Sequence, residues 1–272
     1  MSKKQRLEQI EKIVNRRGTI EISKLGETFG VTQMTIRRDL DELEAEGKII
    51  RTRGGAMINN QDALRESPVY LRMNERSALK ERLGEKAAMQ LRDGQKVLIG
   101  SGSTICHFAR MVDNTCRLIV VTQSLDIALE LSTRSNISII IIGGELRSNT
   151  LSTSGTMADQ SLAHFRFDNS FLGVTAIDAE GRLYDRSLIE QGIYGQIRDL
   201  SPRITIIADS SKIGQTDFVQ VGQLEKGDIL VTDDGIDPEI KKGFEERGIV
   251  IRMAASSAPE DEKDELTEKY HD

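Results

Sequence analysis

Over residues 3–16 the apolar side chains Leu7, Ile10 and Val14 recur at i, i+3 and i+7 with Ile13 beside them, a spacing that predicts one buried face of an amphipathic helix. A turn at Gly18 precedes a second predicted helix over residues 23–29, with Ser23 as N-cap and Gly30 as the stop. Its interior Gly26 lowers helix propensity by about 1 kcal/mol relative to Ala, which reads as a close helix crossing or a tolerated substitution. A third helix starts at the cap Thr32, carries Ile36, Leu40 and Leu43 as its inward stripe, and ends at Gly47. Only Gly30 and Val31 separate the last two helices, and two short helices on so tight a turn form a helix-turn-helix whose second member can enter a major groove. Gln33, Thr35, Arg37 and Arg38 occupy its first two turns, where side chains reach base edges and phosphates. The following KIIRTRGGAM predicts a strand, a Gly-Gly turn and a return strand, a β-wing that sets Arg51 and Arg53 beside a DNA backbone. A protein-interaction domain with solvated arginines is the competing interpretation, and the tight turn, basic face and wing together weigh against it.

Residues 59–74 show little periodicity and contain Pro68, which predicts a linker with room for a short ordered piece. From Arg76 the pattern changes. Leu79, Leu83, Ala87 and Leu91 mark a helix ending at Asp93-Gly94. Short apolar runs then follow at residues 97–99, 118–121, 137–142, 170–174, 204–208, 229–231 and 249–251, interspersed with helical stretches such as 104–111 and 125–131. Continuous apolar strands alternating with helices predict a mostly parallel sheet covered on both faces. The expected fold is therefore α/β: a winged helix-turn-helix over residues 1–58, a linker over 59–75, an α/β domain over 76–255 and a disordered acidic tail over 256–272, which holds seven Asp and Glu against two Lys.

Charge sharpens this picture. Residues 1–60 carry 12 Lys and Arg against 9 Asp and Glu, whereas the other 212 residues carry 25 against 34. A basic N-terminal segment on an acidic chain suits phosphate contact. The uninterrupted aliphatic run at residues 139–142 is far short of a membrane span, and the N-terminus has no apolar stretch behind its charges, so a cytoplasmic protein with no membrane partner is expected. Two cysteines, Cys106 and Cys116, and three scattered histidines offer no metal-ligand spacing, and no cofactor is expected.

In an open α/β sheet, ligands sit beyond the carboxyl ends of the strands. Here those positions hold Ser101, Gly102, Ser103 and Thr104 before one helix, Thr122, Gln123 and Ser124 before the next, Gly143 and Gly144 after the third strand, and Lys212 after the fifth. Backbone N–H groups, hydroxyls and one ammonium suit a small phosphorylated polyol. Each piece alone reads as a turn and a cap; their convergence makes the case. Asp178 and Glu190 read equally as pocket-facing or solvated, and Cys106 and His107 as packing.

The stretch VTQMTIRRDLDELEAEGKIIRTRGGA at residues 31–56 resembles the helix-turn-helix and wing signature of the DeoR family of bacterial transcriptional regulators. The similarity continues through SGST at 101–104, VVTQS at 120–124, IGGELR at 142–147, FDNSFLGVTAID at 167–178 and ADSSKIG at 208–214. It covers nearly the whole chain apart from the tail. The resemblance implies operator contact by Thr35, Arg37 and Arg38, and a sugar-phosphate sensor domain related in fold to ribose-5-phosphate isomerase. Three departures, Gly100 for the family's Asp, Gln123 for Asn and Tyr184 near a usual Thr, imply an altered effector pocket. The expected function is a repressor of a carbohydrate-utilisation operon, released from double-stranded operator DNA by a phosphorylated sugar, acting as a dimer or tetramer on paired half-sites. A sugar-phosphate isomerase with an appended DNA-binding domain is the alternative, weakened because the carboxylate position is here Gly100.

Overall fold

The computed structural model describes residues 3–17, 19–46, 48–52, 54–58, 68–187 and 191–254. Gly18, Gly47, Arg53, Glu190, most of the expected linker (59–67) and the acidic tail lie outside the described residues. The chain divides into two compact units, Met1–Glu66 and Ser67–Asp272.

In the first unit α1 (Lys3–Arg17), α2 (Ile22–Phe29) and α3 (Gln33–Ala45) enclose a core in which Ile10, Val14, Leu25, Ile36, Leu40 and Leu43 are fully buried. The periodic positions are thus the ones that pack. A short strand β1 (Thr19–Glu21) was not expected; it joins β2 (Ile49–Arg51) and β3 (Gly55–Ile58) in an antiparallel sheet of order β1-β3-β2. Three residues are too few to show a period, and β1 exists because β3 offers it a partner, Ile20 lying opposite Ala56. Gly55 is needed there, since a Cβ on it would stand 1.9 Å from the Ile20 carbonyl oxygen.

The second unit opens with α4 (Val69–Asn74), the ordered piece within the expected linker, and α5 (Ser77–Ala88). Strand–helix alternation follows through β4 (Lys96–Ile99), α6 (Ser103–Arg110), β5 (Leu118–Thr122), α7 (Leu125–Ser132) and β6 (Ile137–Ile141). A hairpin of β7 (Glu145–Arg147) and β8 (Ser152–Ser154), then α8 (Thr156–Leu162), lead to β9 (Asn169–Leu172). Next come β10 (Ala176–Ile177), β11 (Arg182–Asp185), α9 (Gln191–Leu200) and β12 (Ile204–Ile207). A 3-10 turn (Ser210–Lys212), β13 (Val219–Gln223), β14 (Ile229–Thr232), α10 (Pro238–Glu246) and β15 (Val250–Met253) complete the unit.

Seven strands form one parallel sheet in the order β15-β14-β12-β9-β4-β5-β6. Alternate residues of each central strand feed different cores: Val97 and Ile99 pack with Leu83 and Phe108, while Leu98 packs with Leu172 and Ile206. Burial on both sides is what made these strands read as unbroken apolar runs. The small antiparallel sheet β10-β11-β13 and the β7–β8 hairpin were not predicted, because sequences such as STS and RLYD mix polar and apolar residues over too short a span. Among the described residues no helix is long and apolar enough to cross a membrane.

Candidate functional site

In the first unit the turn between α2 and α3 is closed by Gly30 at φ 63°, a left-handed residue, and by the Val31 N–H donating to the Gly26 carbonyl at 3.1 Å. A Cβ on Gly26 would lie 3.2 Å from the Val31 oxygen, so a close approach accounts for that glycine. Thr32 caps α3, its hydroxyl accepting from the Thr35 N–H at 3.3 Å and meeting the Thr35 hydroxyl at 3.0 Å. Ile36 and Leu40 turn inward, which leaves Gln33, Arg37 and Arg38 exposed, with no partner for any of the three side chains among the described residues. α3 is held by a buried fork: Arg6 of α1 donates through Nε (2.6 Å) and Nη2 (3.1 Å) to the carboxylate of Asp39. Nothing in the sequence marks Asp39 as buried.

Arg51 differs from expectation. Its backbone N–H donates to Glu44 Oε1 at 2.8 Å, and its guanidinium donates to the Arg37 carbonyl at 3.1 Å and to the Asp41 carboxylate. The side chain therefore braces β2 against α3, and its charge is already partnered. Met34, 60% exposed on the same helix, was missed because an exposed methionine carries no charge signal; an apolar side chain there can meet a thymine methyl.

In the second unit β4 and β9 are neighbours, and the chain leaves them in opposite directions: β5 and β6 lie to one side, β12, β14 and β15 to the other. Such a switch point opens a crevice at the carboxyl ends of the strands. On the β4 side Gly102, at φ 113°, starts α6, a backbone conformation that favours glycine. Ser103 and Thr104 follow; they are buried, yet neither hydroxyl makes a hydrogen bond among the described residues. On the β9 side a Cβ on Gly173 would lie 3.6 Å from the Ser101 carbonyl oxygen, so the two loops adjoin. Lys212 reaches this point from the 3-10 turn, its Nζ donating to the Val174 carbonyl at 2.7 Å. Tyr194, which sequence reading missed, donates its hydroxyl to the Gly173 carbonyl. The crevice thus gathers Ser101–Thr104 and Lys212.

The remaining positions are engaged in holding the edge together. The Thr122 hydroxyl accepts from the Ser124 N–H at 3.0 Å, and the Ser124 hydroxyl accepts from the Ile127 N–H at 3.4 Å as the cap of α7. The Gln123 carbonyl accepts from the Thr153 N–H at 2.8 Å, while its buried side-chain amide has no partner among the described residues. Gly143 and Gly144 lie beyond β6, two strands from β4, and a Cβ on Gly144 would stand 2.6 Å from the Ser154 oxygen, which makes that glycine a packing requirement.

Asp178 turns to its own hairpin. It accepts from the Glu180 and Arg182 N–H groups at 3.0 and 2.9 Å, from Arg182 Nε at 2.6 Å and from the Tyr184 hydroxyl at 2.9 Å. Burial pushes its pKa up, but these donors outweigh burial and hold it below the ordinary carboxylate range. Tyr184, one of the three departures, has this structural duty. Gly100 also has one: a Cβ there would sit 3.0 Å from Leu172 Cδ2, so a larger residue requires Leu172 to move. Cys106 packs in the core, and burial pushes its thiol up to about 12, which leaves it unreactive. Two surface clefts, of about 560 and 380 Å³ beside Met89 and Leu129, contain none of the selected ligand residues. Among the described residues no cluster of His, Cys, Asp and Glu could hold a metal ion.

A winged helix-turn-helix followed by an α/β unit with an open strand edge is the build of a DNA-binding regulator that carries a sensor. Residues 6–62 match the DeoR-like helix-turn-helix domain and residues 75–234 match the DeoR C terminal sensor domain. The chain belongs to the DeoR family of transcriptional regulators. It is 31% identical to the glycerol-3-phosphate regulon repressor of Escherichia coli (strain K12), over 86% of this chain and 92% of that one. To the lactose phosphotransferase system repressor of Streptococcus mutans it is 32% identical, over 89% and 96%. A ribose 5-phosphate isomerase A from Methanocaldococcus jannaschii is similar over 50% of this chain and 54% of that one, at 16% identity and a TM-score of 0.37, too slight a likeness to carry an activity across. Membership of a family of transcriptional regulators makes the chain a regulator, and the isomerase alternative falls.

Proposed function

We propose that this regulator represses a carbohydrate-utilisation operon and is released from its operator by a phosphorylated sugar or sugar derivative bound in the β4–β9 crevice. The observation that carries the reading is the delivery of Lys212 to Val174, beside the loop whose Ser103 and Thr104 hydroxyls are unpaired. An ammonium pairs with phosphate as a point charge, the start of α6 offers backbone N–H groups, and the hydroxyls pair with sugar oxygens. Gln33, Arg37 and Arg38, with Thr35 behind them, form the DNA-reading face, and Arg51 contributes by fixing β2 to α3. The ligand acts only through its different affinity for the DNA-competent and DNA-incompetent states. The names of the two repressors above support a phosphorylated carbohydrate as signal.

A thermal-shift screen against phosphorylated sugars and sugar alcohols tests this: a ligand at 100 times its Kd stabilises the sensor by about 2.7 kcal/mol. A hit must also lower operator affinity in a gel shift, and a hit that leaves the DNA complex intact would count against the reading. Lys212→Met is expected to weaken the effector by about 1.5–3 kcal/mol, roughly ten- to hundredfold, with effector-free operator affinity unchanged. Titration calorimetry giving equal affinities for variant and parent would remove Lys212 from the site.

A further inference from the structure

The first described segment after the DNA-binding unit is 68–76. Val69 is buried and its N–H donates to the Asn149 carbonyl at 2.8 Å, which fixes the start of α4. The end of the segment is held by two elements that also supply the crevice. His107, buried and one turn beyond Ser103 on α6, brings Nε2 to 3.1 Å from the Met73 carbonyl. The turn that carries Lys212 takes Arg76, whose Nη1 donates to Asp209 Oδ1 at 2.8 Å and to the Ser211 hydroxyl at 2.6 Å.

Arg76 makes this contact from a costly backbone conformation. Its φ is 53°, and among the described residues Leu151 is the only other non-glycine with a positive φ. A left-handed arginine persists where its surroundings impose it, and such strain collects at switch regions. The side chain is 57% exposed, so core packing does not demand it. What holds it lies at its far end. The Asp209 side chain is buried, and Oδ1 also accepts from the Ser211 N–H at 3.2 Å and from the Ser211 hydroxyl. One carboxylate therefore shapes the turn and anchors the arginine.

We infer that Arg76 is a positioning residue, which ties the turn carrying Lys212 to the segment by which the sensor follows the DNA-binding unit along the chain. The step from there to regulation rests on the reading of Lys212 as the phosphate ligand. A phosphate that draws Lys212 off the Val174 carbonyl moves the residue next to Ser211, and the grip of Asp209 and Ser211 on Arg76 shifts with it. His107 gives the Ser103–Thr104 loop a second line to the same segment. The ammonium and the loop thus both report to residues 73–76, and the ligand gains the differential contact that a change of state requires.

Amide hydrogen exchange on the full chain, without DNA or sugar, tests the tie, because it reads local opening segment by segment. Arg76→Asn loses the reach to Asp209 but suits a left-handed position better than arginine, so the melting temperature should stay or rise. Exchange at the Ser211, Lys212 and Ile213 amides, the first of them 135 residues away, should nevertheless quicken by about three- to tenfold, the worth of a half-exposed charge-assisted contact. Asp209→Asn keeps a side chain that caps the turn. It should speed exchange at Leu71, Arg72 and Glu75 by a similar factor, and by less than about twofold once Arg76→Asn is also present. That second comparison separates the tie from any effect of Asp209 on the nearby Lys80 ammonium. Parental exchange at 211–213 in Arg76→Asn overturns the inference, and so does full additivity in the double variant. A wrong effector assignment leaves these outcomes untouched and shows instead in the Lys212→Met titration.

Discussion

Replacing Arg37 and Arg38 together by Ala will abolish operator binding at physiological salt while the sensor still binds its ligand. Both side chains are exposed near the start of α3, neither has a partner among the described residues, and Ile36 and Leu40 beside them fix which way the helix faces. A specific base contact is worth about 1–3 kcal/mol, so removing two lowers affinity by about 2–6 kcal/mol, on the order of thirtyfold to twenty-thousandfold. A salt series separates the two kinds of interaction. Removing a phosphate-binding side chain reduces the slope of log affinity against log salt by about one, whereas removing a base-reading one relaxes sequence preference. Gel shifts that gave the double variant the parental affinity would remove α3 as the reading helix.

Asp39→Ala will destabilise the first unit rather than merely weaken its grip on DNA. Asp39 and Arg6 have side chains only 2% and 12% exposed, and the fork they form ties α1 to α3. The hydrogen bond from Arg6 to Asp39 raises the pKa of the guanidinium above its ordinary value, and a guanidinium is charged even without such a partner. Removing one member of a buried pair leaves the other uncompensated and costs about 3–5 kcal/mol, a large part of the roughly 5–15 kcal/mol that holds a domain together. Calorimetry of the full chain should show the transition of the first unit displaced to lower temperature and that of the sensor unchanged. Replacing both partners by apolar residues, Arg6→Met with Asp39→Leu, should restore most of the stability, since it is the stranded charge that destabilises. A single variant melting like the parent would show that the fork contributes nothing.

Much of the fold could be read because its determinants are local. The helix-turn-helix rests on a Thr cap, a left-handed Gly30 and stripes at helical spacing, all within a few residues of one another. The central strands of the large sheet announced themselves because both their faces are buried. Short elements without an apolar run of their own were invisible: β1 and the β7–β8 hairpin exist only against partners elsewhere in the chain. Side-chain roles divided in the same way. Residues 101–104 were selected from a loop before a helix, a local pattern. The engagement of Arg51 with Asp41, of Ser124 with the α7 cap and of Asp178 with Arg182 and Tyr184 depended on how each turn closes. Lys80, which no sequence pattern singled out, is 6% exposed, gives its ammonium to the Arg72 carbonyl, and has its pKa lowered by burial.

By itself the sequence determined the helices of the helix-turn-helix and the strands of the large sheet, which face of α3 turns outward, and that hydroxyls, glycines and a lysine follow the strands, because propensity, capping and periodicity act between near neighbours. Tertiary structure alone decided which of those groups meet. Strand order set the switch point between β4 and β9, Lys212 crossed to Val174, and Arg76 reached Asp209. Contacts between residues far apart along the chain depend on the order in which strands assemble, and no local pattern encodes that order.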